Sequence, residues 1–491
     1  MKKETFIKLS KEYNVIPVFE RITGDMLTPV LAYLKLREKN KFCFLLESVE
    51  GIGRLARYSF IGTDPHKIIS NKGKKLKILS ENKTQDIDQN IFDYLQNEIK
   101  SYKFPTIEDI PDFTGGIVGY IGYENISLIE DKLKFKNHEN SETPDSILGI
   151  FNTIIAFDHY KHQLLLISNV HLTTESDVEL EYNSALDNLA KLKTELRKPI
   201  SYKSDFNFEI NKNEVFNKEE FFETVEKAKG NIYDGDVFQL VLSKRFTADY
   251  NGDLLNLYRA LRIINPSPYM YFMELPEEIT VIGTSPEDLI KVQNKFASIL
   301  PIAGTRKRGE TQERDLELEK ELLSDPKEIA EHIMLVDLAR NDLGRVCEFD
   351  SINLKEYMKI HRFSHVMHIV SRVEGKLNED SDSIDAFKAA FPAGTVSGAP
   401  KIRAMELIHE YEKSLRNIYA GAVGYIDFRG NLDMCIAIRT LFAIKDKVHW
   451  QAGAGLVADS KPELELKEIN NKAAVLLKAL KYAEEIDDSN K

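Results

Sequence analysis

The chain has 491 residues, which is enough for roughly two to three domains with sizeable cores. It carries 66 Lys and Arg against 78 Asp and Glu, and the formal charge of −12 argues against a nucleic-acid-binding surface, which needs a concentrated basic face. The three cysteines are too widely spaced for a disulfide framework or a zinc site, so we expect reduced thiols in a cytoplasmic protein. No signal-peptide pattern and no bilayer-spanning apolar stretch is found, so we expect no membrane association.

Short helices and strands alternate along the first part of the chain. The patterns predict a helix at 27–37, a strand at 42–46, a polar loop or weak hairpin at 70–90 and a β-hairpin at 152–168. Residues 197–213 are polar and aromatic without a period, so we place a domain boundary there. This divides the chain into an N-terminal part, 1–200, and a second domain, 214–485.

The second domain continues with both kinds of element. The patterns predict a helix at 218–229, a strand at 236–243 and a hairpin within 280–302. Because the predicted strands are joined by short turns, the sequence indicates an α+β fold rather than a doubly wound parallel sheet. The Gly-rich strand 114–124 also matches 421–427 at several positions, which leaves open two related halves or a coincidence.

Two Glu-x-x-Glu steps lie far apart, at Glu328 and Glu331 and at Glu465 and Glu468. Residues three apart share one face of a helix, so each step places two carboxylates side by side. The run 328–343 is apolar nearly all round and is therefore predicted to be a buried helix. Carboxylates from two facing helices suit Mg²⁺, whereas a chance match on solvated faces is the plainer interpretation of either step alone.

Five further motifs in the second domain combine charged, Gly and Pro residues. They are Ser285-Pro286-Glu287, the basic loop in 301–309, His365 with His368, the Gly/Pro loop 391–400 before a helix, and the Gly-rich segment 451–455. Taken singly, each has a plainer structural interpretation. Ser-Pro-Glu is commonly a helix cap, a basic loop a solvated turn, a lone His a core residue and a Gly-rich segment a strand end. A helix N-terminus after the Gly/Pro loop would also suit an anion.

Six stretches taken together resemble one family. They are LLES at 45–48, NPSPYM at 265–270, PIAGTR at 301–306, EHIMLVDLARNDLGRV at 331–346, SGAPK at 397–401 and QAGAG at 451–455. They resemble anthranilate synthase component I, the chorismate-using subunit of tryptophan biosynthesis, over residues from about 15 to about 480. The resemblance implies antiparallel sheets packed as a sandwich with helices outside. It also implies a regulatory, tryptophan-binding part at 1–200 packed on a chorismate-binding catalytic domain at 214–485.

The implied activity is a Mg²⁺-dependent conversion of chorismate and ammonia to anthranilate and pyruvate. By resemblance, Glu331 and Glu468 are metal ligands, while Glu328 and Glu465 hold the waters of the metal. Glu287 matches the general acid that protonates the departing ring hydroxyl, a role that needs a carboxyl still protonated near neutrality.

The remaining active-site positions also follow from the resemblance. His368 matches the residue linked to loss of pyruvate, and we expect it to support removal of the ring proton. The positions that match substrate contacts are Gly304, Thr305, Thr395, Tyr419, Arg439, Gly453, Ala454, Gly455 and Lys472. Since chorismate is a dianion, one carboxylate can go to Mg²⁺ and the other to Arg439 and loop N–H groups.

Two positions distinguish branches of the superfamily. Relatives that use water carry a Lys base where this chain has Gln239, so ammonia is the expected nucleophile. Aminodeoxychorismate synthases typically have a Lys that can attack the ring where this chain has Ala303. Aminodeoxychorismate synthase component I stays the nearest alternative, and a non-catalytic tryptophan sensor on the same fold is the alternative from another class.

A feedback site and a partner are implied as well. Glu47 and Ser48, with Pro268, Tyr269 and Met270, resemble a tryptophan-binding site that joins the two parts of the chain. No Gly-x-Cys-x-Gly elbow of a glutaminase is present in the sequence. Ammonia is therefore expected from a separate glutamine amidotransferase subunit, component II, or from free ammonium.

Overall fold

The computed structural model describes residues 1–37, 41–48, 57–80, 83–135, 143–202, 205–210, 217–362 and 366–487. Its helices are α1 Lys3–Leu9, α2 Pro29–Leu36, α3 Ile91–Lys100, α4 Val178–Arg197, α5 Lys218–Tyr233, α6 Leu255–Ile264, α7 Gln312–Ser324, α8 Pro326–Gly344, α9 Ser383–Ala390, α10 Lys401–Tyr411 and α11 Pro462–Glu485. The first twelve strands are β1 Val15–Thr23, β2 Cys43–Glu47, β3 Tyr58–Thr63, β4 Lys67–Lys72, β5 Lys75–Ser80, β6 Lys83–Asp88, β7 Gly116–Ile121, β8 Ser146–Phe151, β9 Thr153–Asp158, β10 Gln163–His171, β11 Phe206–Ile210 and β12 Gln239–Gly252. The others are β13 Tyr269–Leu275, β14 Ile279–Ser285, β15 Asp288–Gln293, β16 Phe296–Ile299, β17 Ile302–Lys307, β18 Asn353–Arg362, β19 Val366–Lys376, β20 Gly398–Ala399, β21 Ala422–Asp427, β22 Leu432–Ile436, β23 Thr440–Ile444 and β24 Lys447–Leu456.

The strands form two antiparallel sheets of twelve strands each among the described residues. The first runs β1-β10-β9-β3-β2-β13-β14-β23-β24-β12-β11, with β20 on β12, and the second runs β17-β19-β16-β15-β22-β21-β7-β8-β4-β5-β6, with β18 on β19. An apolar layer between the sheets contains Phe44 and Phe151, whose rings meet edge to face at 4.7 Å. Helices cover the outer faces, so the predicted α+β sandwich is confirmed.

Both sheets contain strands from both parts of the chain. In the first sheet β2 pairs with β13, and in the second β7 pairs with β21, so that the two similar Gly-rich segments lie side by side with Gly119 opposite Gly424. The predicted boundary at 197–213 overlaps 203–204 and 211–216, which lie outside the described residues. The division at that point therefore stays a prediction.

Two local predictions need correction. Residues 67–80 and 83–88 form three paired strands rather than a loop or weak hairpin, because Leu76 and Ile78 alternate with lysines and bury one face of β5. Helix α8 is not buried on most sides: Leu335 and Val336 face the core, but Ile333 is 38% exposed. Tertiary packing covers one face of α8 and leaves the other open to a cleft.

The starts of helices α8 and α11 follow from local sequence. Asp325 caps α8 by accepting hydrogen bonds from the backbone N–H groups of Lys327 and Glu328, and Pro326 occupies the first turn. Pro462 likewise begins α11. In the described part of the chain, every helix is too short or too polar to cross a bilayer.

Candidate functional site

Strands of both sheets and two helices meet around one cleft. Helix α8 packs against β17 and β19 of the second sheet, and α11 packs against β24 of the first. The segment Gly394–Val396 touches α8 and β24. The predicted substrate, metal and catalytic residues lie on these elements or on the turns beside them.

Glu287 lies in the turn between β14 and β15. Burial raises the pKa of its carboxyl to about 7, while Thr395, Lys472 and Arg439 lie close enough to oppose that rise. The Thr395 hydroxyl forms no hydrogen bond of normal geometry within the described residues, so its influence acts over a longer distance. A carboxyl with this pKa is largely protonated at pH 6 and can donate a proton near neutrality.

Arg439 and Lys472 supply positive charge beside Glu287. The guanidinium of Arg439 donates to Oδ1 of Asn265 at 3.2 Å and is largely buried, which lowers its pKa, although arginine still keeps its charge. Lys472 donates to the carbonyl oxygen of Gly453 at 2.9 Å and to the carboxylate of Glu468 at 2.8 Å. These two cations are placed to bind a carboxylate of a substrate.

Gly304, Thr305 and His368 form the opposite wall on paired strands β17 and β19. Nδ1 of His368 lies 3.0 Å from the carbonyl oxygen of Gly304 and 3.1 Å from the Thr305 hydroxyl. A carbonyl only accepts, so Nδ1 carries the proton and Nε2 keeps a basic lone pair. Burial lowers the pKa of His368, which keeps the ring neutral at pH 7.

Gly304 has a left-handed backbone with φ +69°, at a bulge in the pairing of β17 with β19. A Cβ there would lie 3.0 Å from the side chain of Leu322 and 3.2 Å from Oε2 of Glu328. Glycine is thus required both by conformation and by the close approach of Glu328. Glu328 is held by Arg306 at 3.0 Å, a residue of PIAGTR that the sequence reasoning left without a role.

The four predicted metal-binding carboxylates converge from α8 and α11. Partial burial first, then Glu328, raise the pKa of Glu331, and Glu468 contributes across the cleft. Burial and Glu468 likewise raise the pKa of Glu465. In the described part of the chain no three acidic, His or Cys side chains form a closed ligand set. Mutually repelling oxygen donors on an open cleft nevertheless fit Mg²⁺, which takes one or two carboxylates and completes its shell with water and substrate.

The segment Gly453 to Gly455 of β24 presents its backbone to the cleft. A Cβ on Gly453 would lie 2.6 Å from the Tyr419 hydroxyl, and one on Gly455 would lie 2.5 Å from Nε2 of Gln239. Tyr419 and Gln239 therefore rest directly on these glycines. Ala454 is buried on the other face of the sheet, so only its backbone can face a ligand.

Ala303 is buried on β17 opposite Ile369 and offers the cleft no amine. The other histidine of the predicted pair, His365, lies outside the described residues. Asn265, which holds Arg439, was missed by the sequence reasoning although it begins the NPSPYM stretch. Its position before a Pro turn was the available signal.

The predicted tryptophan site is brought together where the two parts of the chain meet. Glu47 on β2 is the partner of Met270 on β13, and Ser48 and Pro268 are half-buried beside this pair. The Glu47 carboxylate is buried and accepts hydrogen bonds from Tyr258 and, at 3.1 Å, from Arg262. Sequence reasoning missed both partners, which come from one face of helix α6.

Tyr269 is the one predicted residue of that site whose polar group points elsewhere. Its hydroxyl donates to Oδ1 of Asp433 at 2.9 Å, across the space between the two sheets. Asp433 also pairs with Lys291 at 3.0 Å. Only the ring and backbone of Tyr269 can therefore face a ligand beside Glu47.

Comparisons with known proteins agree over nearly the whole chain. The chorismate binding enzyme family matches residues 41–478. The chain is 44% identical over 487 residues to anthranilate synthase component 1 of Acetivibrio thermocellus, covering 97% of this chain and 98% of that relative. It is also 44% identical to anthranilate synthase component 1 of Aquifex aeolicus, covering 97% of both chains.

Solved structures give the same result. Anthranilate synthase component I of Streptococcus pneumoniae superposes with a TM-score of 0.76 at 37% identity, covering 93% of this chain and 99% of that one. The menaquinone-specific isochorismate synthase of Escherichia coli shares the fold at 19% identity, with a TM-score of 0.70 over 97% of this chain and 98% of that one. The chain therefore belongs to the anthranilate synthase component I family of chorismate-binding enzymes.

Proposed function

We propose that this chain catalyses the conversion of chorismate and ammonia to anthranilate and pyruvate, the first step of tryptophan biosynthesis. The observation that carries the proposal is the cleft itself, where the Glu287 carboxyl has a pKa of about 7 and stands close to Arg439 and Lys472. A non-catalytic sensor would need no such acid. Ala303, which cannot form an amine adduct, disfavours the aminodeoxychorismate branch.

In the first step Glu287 donates its proton to the departing ring hydroxyl while ammonia attacks the ring two carbons away. Arg439 and Lys472, with the backbone N–H groups of Gly453 to Gly455, bind a substrate carboxylate. Gly304, Thr305 and Thr395 contact the ring and its own carboxylate. Gln239 stands where water-using relatives carry a lysine base, and Gln cannot activate water in that way. The nucleophile is therefore ammonia, which needs no such base.

In the second step pyruvate leaves and the ring becomes aromatic. The neutral His368 keeps its basic lone pair on Nε2 because the Gly304 carbonyl holds the proton on Nδ1. His368 is thereby arranged to take the ring proton. The low pKa of the buried ring keeps this base unprotonated at neutral pH.

We further propose that Glu331 and Glu468 bind Mg²⁺ and that Glu328 and Glu465 hold its waters. The metal would supply positive charge to a substrate carboxylate and to the leaving enolpyruvyl group. The raised pKa values of Glu331 and Glu465 support this: burial is the largest cause of both, and neighbouring carboxylates add a repulsion that a cation would relieve.

Ammonia is proposed to come from a glutamine amidotransferase subunit, as the designation component 1 of the relatives suggests. All three cysteines of this chain are buried, and burial raises the pKa of the thiols of Cys43, Cys347 and Cys435. None is therefore a thiolate nucleophile for hydrolysing glutamine. Reduced, buried thiols also fit a cytoplasmic enzyme.

The N-terminal part, 1–200, is proposed to be regulatory, with tryptophan bound between Glu47 with Ser48 and the segment from Pro268 to Met270. Support comes from the direct pairing of β2 with β13. The buried carboxylate of Glu47 is a suitable partner for an ammonium group, although Arg262 and Tyr258 already hold it and would share it with the ligand.

One assay tests the activity. The purified chain is mixed with chorismate, Mg²⁺ and excess ammonium at alkaline pH, where free ammonia is abundant, and anthranilate is followed by its fluorescence. We expect anthranilate and pyruvate in equal amounts. Formation of an aminated ring without pyruvate release would instead indicate the aminodeoxychorismate branch, and no consumption of chorismate would indicate the sensor.

A further inference from the structure

A small cavity is lined by Glu287 and Asp288, where β15 begins, and by side chains of helix α8. Its volume is about 40 Å³, and the walls formed by Leu335, Leu338 and Ala339 are apolar. One water needs about 10–15 Å³ of such space, so the cavity has room for roughly three. An apolar cavity of this kind stays dry unless polar groups open into it.

Two polar atoms at this cavity lack hydrogen-bond partners among the described residues. They are Oγ1 of Thr395 and Oδ1 of Asp288, both of which are buried. Asp342 also lines the cavity, but its carboxylate is paired with Lys401 at 2.9 Å. Leaving a buried polar atom without a partner costs about 1–3 kcal/mol, and a water in the cavity would offset that cost if either side chain turned toward it.

Asp288 directly follows Glu287 and begins strand β15 at a bulge in its pairing with β22. Both residues line the cavity, and each carboxyl is close enough to the other to affect its charge. Glu287, a second carboxyl and Thr395 thus border one small space, whose other walls are the apolar side chains of α8.

We propose that Asp288 is a proton-holding residue that restores the proton of Glu287 through water in this cavity. This rests on the proposed function, in which Glu287 loses one proton in each cycle. The C–O bond breaks and the hydroxyl leaves as water with the proton of Glu287, while the electron pair of ammonia forms the C–N bond. The O–H bond of Asp288 then breaks, its proton passes along the water to the Glu287 carboxylate, and solvent reprotonates Asp288 with the proton that the attached nitrogen releases.

The charges around Asp288 keep its proton in place at neutral pH. Burial, then Asp433, then Glu287 raise its pKa to about 8, and Arg372 opposes the rise. The groups that face it from the packed elements are Asp433 and Cys435 on β22, Arg372 on β19, Lys291 on β15, Tyr269 on β13 and the ion pair of Asp342 with Lys401 on α8 and α10. Below about pH 8 Asp288 is therefore neutral and able to donate.

The test compares Asp288→Asn with the wild-type chain in the ammonium-driven assay, with free ammonia held constant across the pH series. We expect kcat to fall by about tenfold or more, because a proton relay contributes at least that much to acid–base steps, while KM for chorismate stays unchanged. The solvent deuterium isotope effect on kcat should rise. Asp433→Asn, the matched control, should keep kcat at low pH but move the alkaline fall of kcat to lower pH, because it removes a charge that raises the pKa of Asp288.

Each outcome decides the matter. An unchanged kcat and pH profile in Asp288→Asn overturns the relay, and so does a lower kcat with an unchanged isotope effect and pH profile, since that indicates a structural role. If Asp288→Asn does not fold, Ala339→Val decides instead: it fills the cavity without altering a charge, and an unchanged kcat overturns the proposal. A wild-type chain that makes no anthranilate would refute the proposed function itself.

Discussion

The carboxyl of Glu287 has the protonation that its proposed role in acid catalysis requires. An ordinary Glu would be ionised at neutral pH, but burial raises the pKa of Glu287 to about 7 even beside two cations. A bound dianion would add negative charge and raise that pKa further. The acid is therefore most fully protonated when substrate is present.

Glu287→Gln tests this residue through both activity and stability. We expect anthranilate formation to fall by about 10²–10⁴-fold with little change in KM, since the amide has no proton to donate. The folded-state pKa lies above the unfolded value of 4.5, so ionising Glu287 destabilises the fold as pH rises through about 7. The variant should therefore raise the Tm more at pH 8 than at pH 5, as thermal unfolding at the two pH values will measure. Equal shifts would contradict the raised pKa.

His368 is expected to act only in the second step. His368→Ala should still consume chorismate with ammonia but release an aminated, non-aromatic product, because no base takes the ring proton. Chromatography of the products, with chorismate consumption measured in parallel, separates the two steps. Should consumption itself stop, His368 is needed earlier or merely shapes the wall formed with Gly304.

At the scale of elements, two helices from distant parts of the sequence create the charged cleft. Helices α8 and α11 each present a pair of carboxylates, and the coupling of Glu331 with Glu468 shows that the two pairs face one another. Lys472, one turn after Glu468, partly neutralises that side at 2.8 Å. The proposed Mg²⁺ would relieve the repulsion that remains between the two helices.

Glu331→Gln and Glu468→Gln are each expected to abolish turnover while leaving the Tm without metal unchanged or slightly higher, because each removes a charge from a repelling cluster. Glu463→Gln, in the exposed first turn of α11, is the matched control and should keep activity. The readouts are anthranilate formation and the Tm with and without Mg²⁺. If Mg²⁺ still raises the Tm of both Glu331→Gln and Glu468→Gln, the metal binds at a different site.

At the scale of the whole molecule, each sheet contains strands from both parts of the chain. The proposed tryptophan site lies where strands of the two parts pair. Glu47 and Met270 are neighbours in the first sheet although about 220 residues separate them. A ligand there inhibits only if it binds the inactive arrangement better, typically by about 1–3 kcal/mol. Saturating chorismate must then weaken tryptophan binding by the same factor.

Ser48→Phe should leave anthranilate formation near normal and raise the tryptophan concentration for half-inhibition by about tenfold or more, because the ring fills the pocket and a hydroxyl partner is lost. Ser48→Ala serves as the control for size and should have the smaller effect. Inhibition curves for the three proteins give the result. Superimposable curves would place the feedback site elsewhere or show that this chain has none.

The sequence by itself determined much of the chemistry. The α+β class and both Glu pairs could be predicted because they depend on residue types at fixed local spacing, whereas the family and the role expected of Glu287 came from the resemblance of six motifs. Residues three apart on a helix share a face whatever surrounds the helix. The sequence alone also shows Gln239 and Ala303 at the two positions where other branches of the superfamily carry a lysine.

Only the tertiary structure decided what surrounds those residues. Ile333 is exposed on a helix predicted to be buried, and the Glu47 carboxylate accepts hydrogen bonds from Tyr258 and Arg262. Asp288 and the proposed acid Glu287 line the same cavity. Burial and long-range neighbours set the pKa of a carboxyl, and both depend on contacts between residues far apart in sequence. Local spacing carries no information about such contacts, so the sequence could only require a protonated Glu287, and the burial that raises its pKa came from the fold.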